Sequence, residues 1–195
     1  MKAQSVLPAV IAIVVAIIAL VTAVYVYLNY HYLTTAPSTI TNTTSTSGKT
    51  LLRYDSSNKT VYLTIAVLST VSTLNFNGTT NGQLVIYVPA GWSLYVTFIN
   101  YQSLPHNLII LQNDTPTPNS PDVAQFGKIL YAFGATSSNY ETTGISSGQS
   151  VSGLTDPLSP GIYMLVCGIY SHAESGMWAV LVVSQNVTAP YAVVT

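Results

Sequence analysis

The most informative stretch of the chain is IYMLVCGIYSHAESGMWAVLVV, residues 162–183. It begins and ends with an apolar run rich in β-branched and aromatic side chains, Ile162–Cys167 and Trp178–Val183, which is typical of buried β-strands. The ten residues between the two runs include two glycines, two serines and a histidine, which is the composition of a loop. The stretch therefore predicts two strands joined by one loop.

Similar apolar runs recur throughout residues 51–195, a region called the head below. The further predicted strands are Val61–Leu68, Leu84–Val88, Leu94–Ile99, Asn107–Leu111 and Ile129–Phe133, separated by turn signals such as Asn77-Gly78 and Asn81-Gly82. No stretch of the head shows a convincing helical periodicity, although Pro121–Phe126 is compatible with a short helix. About 145 residues with seven to nine short strands predict an all-β fold, a single Greek-key β-sandwich.

The residues before the head have two different compositions. The run Val6–Leu28 carries no charge and would span about 35 Å as a helix, enough for a hydrocarbon core of roughly 30 Å. Because Lys2 is the only positive charge near this run, we expect residues 1–33 to be a transmembrane anchor with a cytoplasmic N-terminus and an exported head. A cleaved signal peptide is the alternative. Residues 34–50 are mostly Thr, Ser, Pro and Asn, which predicts a flexible linker.

Sites for N-linked glycosylation agree with an extracellular head, although each is weak evidence because threonine is abundant. The five Asn-x-Ser/Thr sequons lie at Asn42, Asn58, Asn77, Asn113 and Asn186.

Charged residues are scarce, at 6% of the chain against roughly 25% in an average soluble domain. Five Lys or Arg residues stand against six Asp or Glu residues, for a net charge of −1. This balance excludes a basic nucleic-acid binder and makes charge-driven disorder improbable. Ion-paired carboxylates destabilise a folded protein when they protonate, and this head has few carboxylates. We therefore expect the head to stay folded at about pH 2–3.

The head concentrates its soft metal-binding side chains in one pattern. Cys167, His172 and Met177 are spaced Cys-x4-His-x4-Met on the predicted loop, and His106 precedes an upstream strand. A thiolate and two imidazoles in trigonal positions, with a weak axial thioether, form a blue-copper electron-transfer site. A single loop that carries three of the four ligands fixes their relative geometry, which favours fast electron transfer. Each residue alone has a simpler interpretation, since an isolated cysteine is usually a small buried hydrophobe. Their joint occurrence, in the expected order, favours copper.

Other classes of protein lack the residues they need. A single cysteine excludes an internal disulfide framework, a Cys-rich zinc or iron–sulfur site and a dinuclear copper centre. The one further histidine, His31, lies at the membrane end, so a multicopper oxidase is excluded as well. No Gly-x-Ser-x-Gly motif points to a hydrolase, and we expect no enzymatic activity. A copper chaperone or store that uses the same ligands remains the alternative, and a structural surface protein that binds no copper is a third possibility.

The chain resembles the cupredoxin family, and within it the sulfocyanin family of membrane-anchored blue-copper proteins from thermoacidophilic archaea. The resemblance is carried by LVIYVPAGW at residues 84–92, by SLPHN at residues 103–107, and by CGIYSH and GMW within residues 167–178. It covers nearly the full length, including the anchor and the linker.

The resemblance implies a specific role for each site residue. His106 and His172 would bind one copper ion through Nδ1, with Cys167 as thiolate and Met177 as axial ligand. Asn107 would tie the two ligand segments together from behind the site. The head would pass single electrons on the outer face of the membrane towards a haem–copper terminal oxidase of a respiratory chain, through an apolar surface at the ring edge of His172.

Overall fold

Eleven β-strands form two packed sheets in the computed structural model, which describes residues 20–24, 48–69 and 72–195. The strands are β1 Lys49–Leu51, β2 Arg53–Asp55, β3 Thr60–Val67, β4 Leu84–Pro89, β5 Ser93–Asn100, β6 Leu108–Asn113, β7 Gly127–Phe133, β8 Ser150–Leu154, β9 Gly161–Val166, β10 Trp178–Ser184 and β11 Tyr191–Val194. A 3-10 helix, Val123–Gln125, precedes β7.

The segment before the head is described only in part. Residues 20–24 are helical, and the described residues contain no helix that is both long enough and apolar enough to cross a membrane. Most of the predicted span Val6–Leu28, and residues 34–47 of the predicted linker, lie outside the described residues. The strand β1 begins at Lys49, so the last two residues of the predicted linker pair with β11.

The strands are arranged as a sandwich of one large and one small sheet. The large sheet has seven strands in the order β1-β11-β4-β10-β9-β6-β7, and the small sheet has four in the order β2-β3-β5-β8. Most neighbours are antiparallel, but β4 pairs with β10 and β3 pairs with β5 in parallel. The chain crosses between the sheets after β1, β3, β4, β5, β7 and β8. The all-β sandwich expected from the sequence is therefore confirmed.

Apolar periodicity located the central strands and missed the peripheral ones. All seven predicted strands are present with ends within two residues of the prediction, and the possible helix at 121–126 is a single 3-10 turn with Asp122 as its N-cap. The four strands that were not predicted, β1, β2, β8 and β11, are short, and none of their residues is fully buried. Such strands bury few side chains, so their sequences carry little apolar pattern.

Two apolar clusters cover the two faces of the strands that position the site. One cluster fills the space between the sheets, and a second lies on the outer face of β6, β9 and β10 against Phe126 and Tyr140. In β6, Leu108 and Ile110 belong to the first cluster, and Ile109 and Leu111 to the second. Because both of its faces are buried, β6 has a continuous apolar sequence instead of an alternating one.

Candidate metal centre

Three strand ends meet at one end of the large sheet and bring the predicted site residues together. Cys167 directly follows β9, Met177 directly precedes β10, and His106 lies two residues before β6. Val166 at the end of β9 pairs with Ile109 of β6 on one side and with Trp178 of β10 on the other. The register of the sheet therefore places the three chain segments side by side.

The loop between Cys167 and Met177 is held by its own backbone hydrogen bonds. Cys167 N donates to Met177 O at 3.1 Å, which closes the base of the loop, and Met177 N donates to His172 O at 3.0 Å. His172 N donates to Ile169 O at 2.9 Å, and Ser171 adopts a left-handed φ of 64° to make this turn. These bonds turn the His172 side chain back towards Cys167.

Two further bonds attach the loop to the rest of the head. Tyr170 N donates to Glu141 O at 3.0 Å, and Ser171 N donates to Pro121 O at 2.9 Å. The loop is therefore braced from both the 121–126 and the 134–144 segments, which limits its movement.

The donor atoms of one cysteine and two histidines converge on one point. Cys167 Sγ lies 3.4 Å from His172 Nδ1 and 3.8 Å from His106 Nδ1. All three atoms lie within 4.8 Å of one another, and the two imidazole rings are 5.2 Å apart between centroids at an angle of 49°. In both histidines it is Nδ1 that faces the sulfur.

Burial keeps all three groups uncharged in the absence of a metal. Cys167 and His106 have no exposed surface, and His172 is half-buried. Burial raises the pKa of the Cys167 thiol to about 12. Burial, together with the neighbouring charge of His172, lowers the pKa of His106 to about 4, and burial also lowers the pKa of His172. Neutral imidazoles are the form that binds metal ions.

The fourth predicted ligand, Met177, is fully buried in the cluster between the sheets, together with Cys167. Its backbone bonds to both Cys167 and His172 place it beside the site. Its predicted axial role stays a prediction.

Asn107 connects three segments behind the donor atoms. Its Oδ1 accepts a hydrogen bond from Gly168 N at 2.6 Å and lies 3.9 Å from Cys167 Sγ. Its Nδ2 donates to Tyr140 O and Thr143 O, both at 2.7 Å. The side chain thus joins the β6 end and the start of the ligand loop, as the sequence resemblance implied, and it also holds the 140–143 segment.

Two residues at the site were missed by sequence reasoning. The ring Nε2 of His106 lies 3.2 Å from Gln102 Oε1, and Gly144 packs directly against the His106 backbone. A Cβ at Gly144 would lie 2.6–2.7 Å from His106 N, C and O, so only glycine fits there. Both contacts join residues whose proximity depends on the folding of the loops, and no local pattern marks them.

The donor set fits copper. The centre of the triangle of donor atoms lies within about 2.5 Å of each, close to the roughly 2.0–2.3 Å of first-row metal bonds to imidazole and thiolate. A thiolate in this buried position needs a cation beside it, because burial alone keeps the thiol protonated. One thiolate and two imidazoles with a nearby thioether are the ligands of a blue-copper site, whereas structural zinc prefers four strong ligands.

Comparisons with known proteins agree with this chemistry. Residues 47–194 match the family description "Sulfocyanin (SoxE) domain", and residues 1–48 match "Sulfocyanin, N-terminal". A sulfocyanin from Sulfolobus acidocaldarius is 62% identical over 143 residues, which cover 72% of each chain.

Solved structures show the same fold at lower identity. Rusticyanin from Thiobacillus ferrooxidans is 25% identical with a TM-score of 0.50, over 65% of this chain and 78% of rusticyanin. A reduced rusticyanin at 22% identity also has a TM-score of 0.50, over 65% of this chain and 80% of that chain.

Fold and donor set together define a blue-copper cupredoxin. Within that class the match over residues 47–194 is specific, and the chain belongs to the sulfocyanin family. Its cofactor is one type 1 copper ion.

Proposed function

We propose that this protein is a one-electron carrier whose copper ion is held by His106, Cys167 and His172, with Met177 as a weak axial ligand. The observation that supports this most directly is the convergence of Cys167 Sγ with both Nδ1 atoms in a buried site. When bound, copper supplies reversible exchange of one electron between Cu(II) and Cu(I). The protein has to hold the ligands so that neither state requires them to move.

The surroundings of the ligands suit that task. Cys167 is fixed at the base of the loop by its bond to Met177 O, and Asn107 clamps the adjacent Gly168 N. The backbone of His106 is paired with Ile145 and confined by Gly144. Packing of this kind leaves little room for rearrangement.

The half-exposed His172 is the proposed point of electron entry and exit. Two uncharged side chains, each two residues before a ligand histidine, are exposed: Tyr170 is 56% exposed in the ligand loop, and Leu104 is 46% exposed before His106. Glu174 is the exposed charge of the ligand loop itself. An apolar surface of this kind allows brief contact with a partner protein, since little charge has to be desolvated.

A copper chaperone is less well supported. A chaperone must pass its metal to another protein and therefore keeps its ligands accessible. Here Cys167 and His106 have no exposed surface.

The optical and EPR spectra of the copper-loaded full-length chain test this proposal. We expect intense absorption at about 600 nm from the thiolate–copper bond, and reversible one-electron cycling. Cys167→Ser should abolish the band, whereas Ser171→Ala, a change in the same loop that leaves the donor atoms in place, should keep it. A colourless Cu(I) form that exchanges readily would favour the chaperone instead.

We further propose that residues 1–33 anchor the protein in the cell membrane with the head outside, where it delivers electrons to a terminal oxidase complex. The uncharged run Val6–Leu28 and the sulfocyanin N-terminal match over residues 1–48 support this. Protease treatment of intact cells should release the head as a soluble fragment, and the reduced head should be oxidised by isolated membranes that contain a haem–copper oxidase. Retention of the head inside protease-treated cells would contradict the orientation, and failure of oxidation would contradict the partner.

A further inference from the structure

Gln102 is a buried amide that contacts the metal site without being a metal ligand. Its side chain is 6% exposed, and its Oε1 lies 3.2 Å from His106 Nε2, on the side of the ring away from Cys167. Its backbone N donates to Asn100 Oδ1 at 2.8 Å, so the main chain at Gln102 is itself fixed.

The other half of the amide is held by two carbonyl groups. Gln102 Nε2 donates to Leu68 O at 2.7 Å and to Ser72 O at 3.2 Å. The side-chain amide of Asn75 donates to the same two carbonyls, at 2.9 and 2.5 Å. Rotating the Gln102 amide by half a turn would place Oε1 against two carbonyl oxygens and would leave its NH₂ facing the imidazole. The carbonyls of Leu68 and Ser72 therefore decide that the oxygen of Gln102 points towards His106.

This orientation determines which nitrogen of His106 carries the proton. An amide oxygen only accepts, so the ring must donate from Nε2, and Nδ1 keeps its lone pair towards Cys167 Sγ at 3.8 Å. The other histidine has no equivalent: among the described residues no hydrogen-bond partner is found for Nε2 of the half-exposed His172.

We infer that Gln102 is a positioning residue, which fixes both the ring orientation and the Nε2–H tautomer of His106 and so presents a preformed Nδ1 donor to copper. The carbonyls of Leu68 and Ser72 take part by orienting Gln102. This inference rests on the proposed ligand role of His106, and hydrogen bonds to the outer nitrogen of a ligating histidine are known to set its orientation and its strength as a donor.

Two substitutions distinguish a role of Gln102 in orienting the His106 ring from a role only in stabilising the segments that it contacts. Gln102→Met keeps the length of the side chain and removes the acceptor for Nε2–H. Asn75→Ala removes donors to the same carbonyls, Leu68 O and Ser72 O, but leaves the contact between Gln102 and His106.

The first measurement uses the metal-free full-length protein with ¹⁵N in its histidine side chains. In the wild type and in Asn75→Ala, NMR should show a slowly exchanging Nε2–H on His106 and fast exchange on His172. Gln102→Met should lose the slow His106 signal. A wild-type His106 that carries its proton on Nδ1, or exchanges as fast as His172, would overturn the inference even if Gln102→Met fails to fold.

The second measurement is the affinity for Cu(II), obtained by competition with a chelator. Gln102→Met should bind copper about 10–100-fold more weakly, whereas Asn75→Ala should be unchanged. Equal losses in Gln102→Met and Asn75→Ala would show a structural role only. Failure of the wild type to bind copper would refute the proposed function, while the NMR result on the metal-free protein would still decide the role of Gln102.

Discussion

The two histidines of the site lie in contrasting surroundings. His106 is fully buried before a central strand, with its backbone paired to Ile145 and its outer ring nitrogen facing Gln102. His172 lies in a loop, half-buried, and its ring is oriented mainly by the turn around Ser171. One imidazole is therefore held by the core of the protein, and the other forms part of its surface.

This difference indicates a division of tasks within one ligand set. The buried side resists rearrangement because its ring, its backbone and its neighbours are all packed. We expect the His172 side to approach a redox partner, because the His172 ring is only half-buried whereas the His106 ring is fully buried. Changes on the buried side should therefore alter the metal site itself, whereas changes on the surface side should alter exchange with partners.

The largest expected effect comes from removing each ring in turn. His106→Gly and His172→Gly should both lose the blue absorption band. Added imidazole should restore the band in His172→Gly, because the space left there opens to solvent, but not in His106→Gly, whose space is closed. The measurement is the visible spectrum during an imidazole titration. Equal rescue of the two variants would remove the contrast between the histidines.

A comparison of two glycines should give the next largest effect. In Gly144→Ala the new Cβ meets the His106 backbone at 2.6 Å, which cannot give way, so we expect a loss of about 3 kcal/mol in the free energy of unfolding and weaker copper binding. In Gly176→Ala, on the ligand-loop side, the new Cβ meets the Asn81 side chain at 2.9 Å, which can move, although the backbone has a left-handed φ of 108°. Urea unfolding of both variants checks this. A smaller loss for Gly144→Ala than for Gly176→Ala would contradict the packing described here.

The metal-free protein should lose stability in weak acid, mainly through His106. The pKa of His106 is lowered to about 4 in the folded head, against 6.5 for an exposed histidine. Between these values the unfolded chain binds more protons than the folded one, so stability falls as the pH falls. The loss reaches about 3 kcal/mol at most and levels off below the folded pKa.

Denaturant unfolding of the metal-free protein at about pH 7 and about pH 3, on either side of this window, would measure the loss. His106→Asn should remove most of the pH dependence, and His172→Asn only a smaller part, because His172 is only half-buried. A pH-independent wild type would show that burial does not perturb His106. Folding of the head at about pH 2–3 stays a prediction. It requires the apolar core to offset the stability lost when His106 is protonated.

The smallest change to the protein itself is expected on the surface. Tyr170→Lys places a charge in the ligand loop beside His172 and should slow electron exchange with a partner by about tenfold, since the charge must be desolvated in the complex. The visible spectrum should stay unchanged. Leu154→Lys, at a position 61% exposed on the small sheet, is the control. Stopped-flow electron exchange with both variants is the test, and equal rates would place the exchange surface elsewhere.

Much of the fold could be predicted because the central strands are buried on one or both faces. Buried positions require apolar side chains, so β6, β9 and β10 can be recognised in the sequence as apolar runs. The edge strands β1 and β8 escaped prediction, since they are held by backbone bonds that any sequence can make.

The ligand residues could be named from the sequence because copper requires particular side chains, and the head has one cysteine and two histidines to supply. Three of the four lie on one loop, where residues that are close in the sequence are also close in space. By itself the sequence therefore determined the class of metal site and named four candidate ligands: Cys167, His172, Met177 and His106.

Only the tertiary structure decided how His106 is held. Gln102 is a common polar residue four positions upstream, and Gly144 lies far along the chain in an irregular segment. The role of Gln102 depends on the carbonyl groups of Leu68 and Ser72. The role of Gly144 depends on its close approach to the backbone of His106. Backbone carbonyls are the same in every residue type, so no sequence pattern records where they point. The ligand side chains therefore determine the chemistry of the site, whereas the packed backbone around them determines how the ring of His106 is oriented.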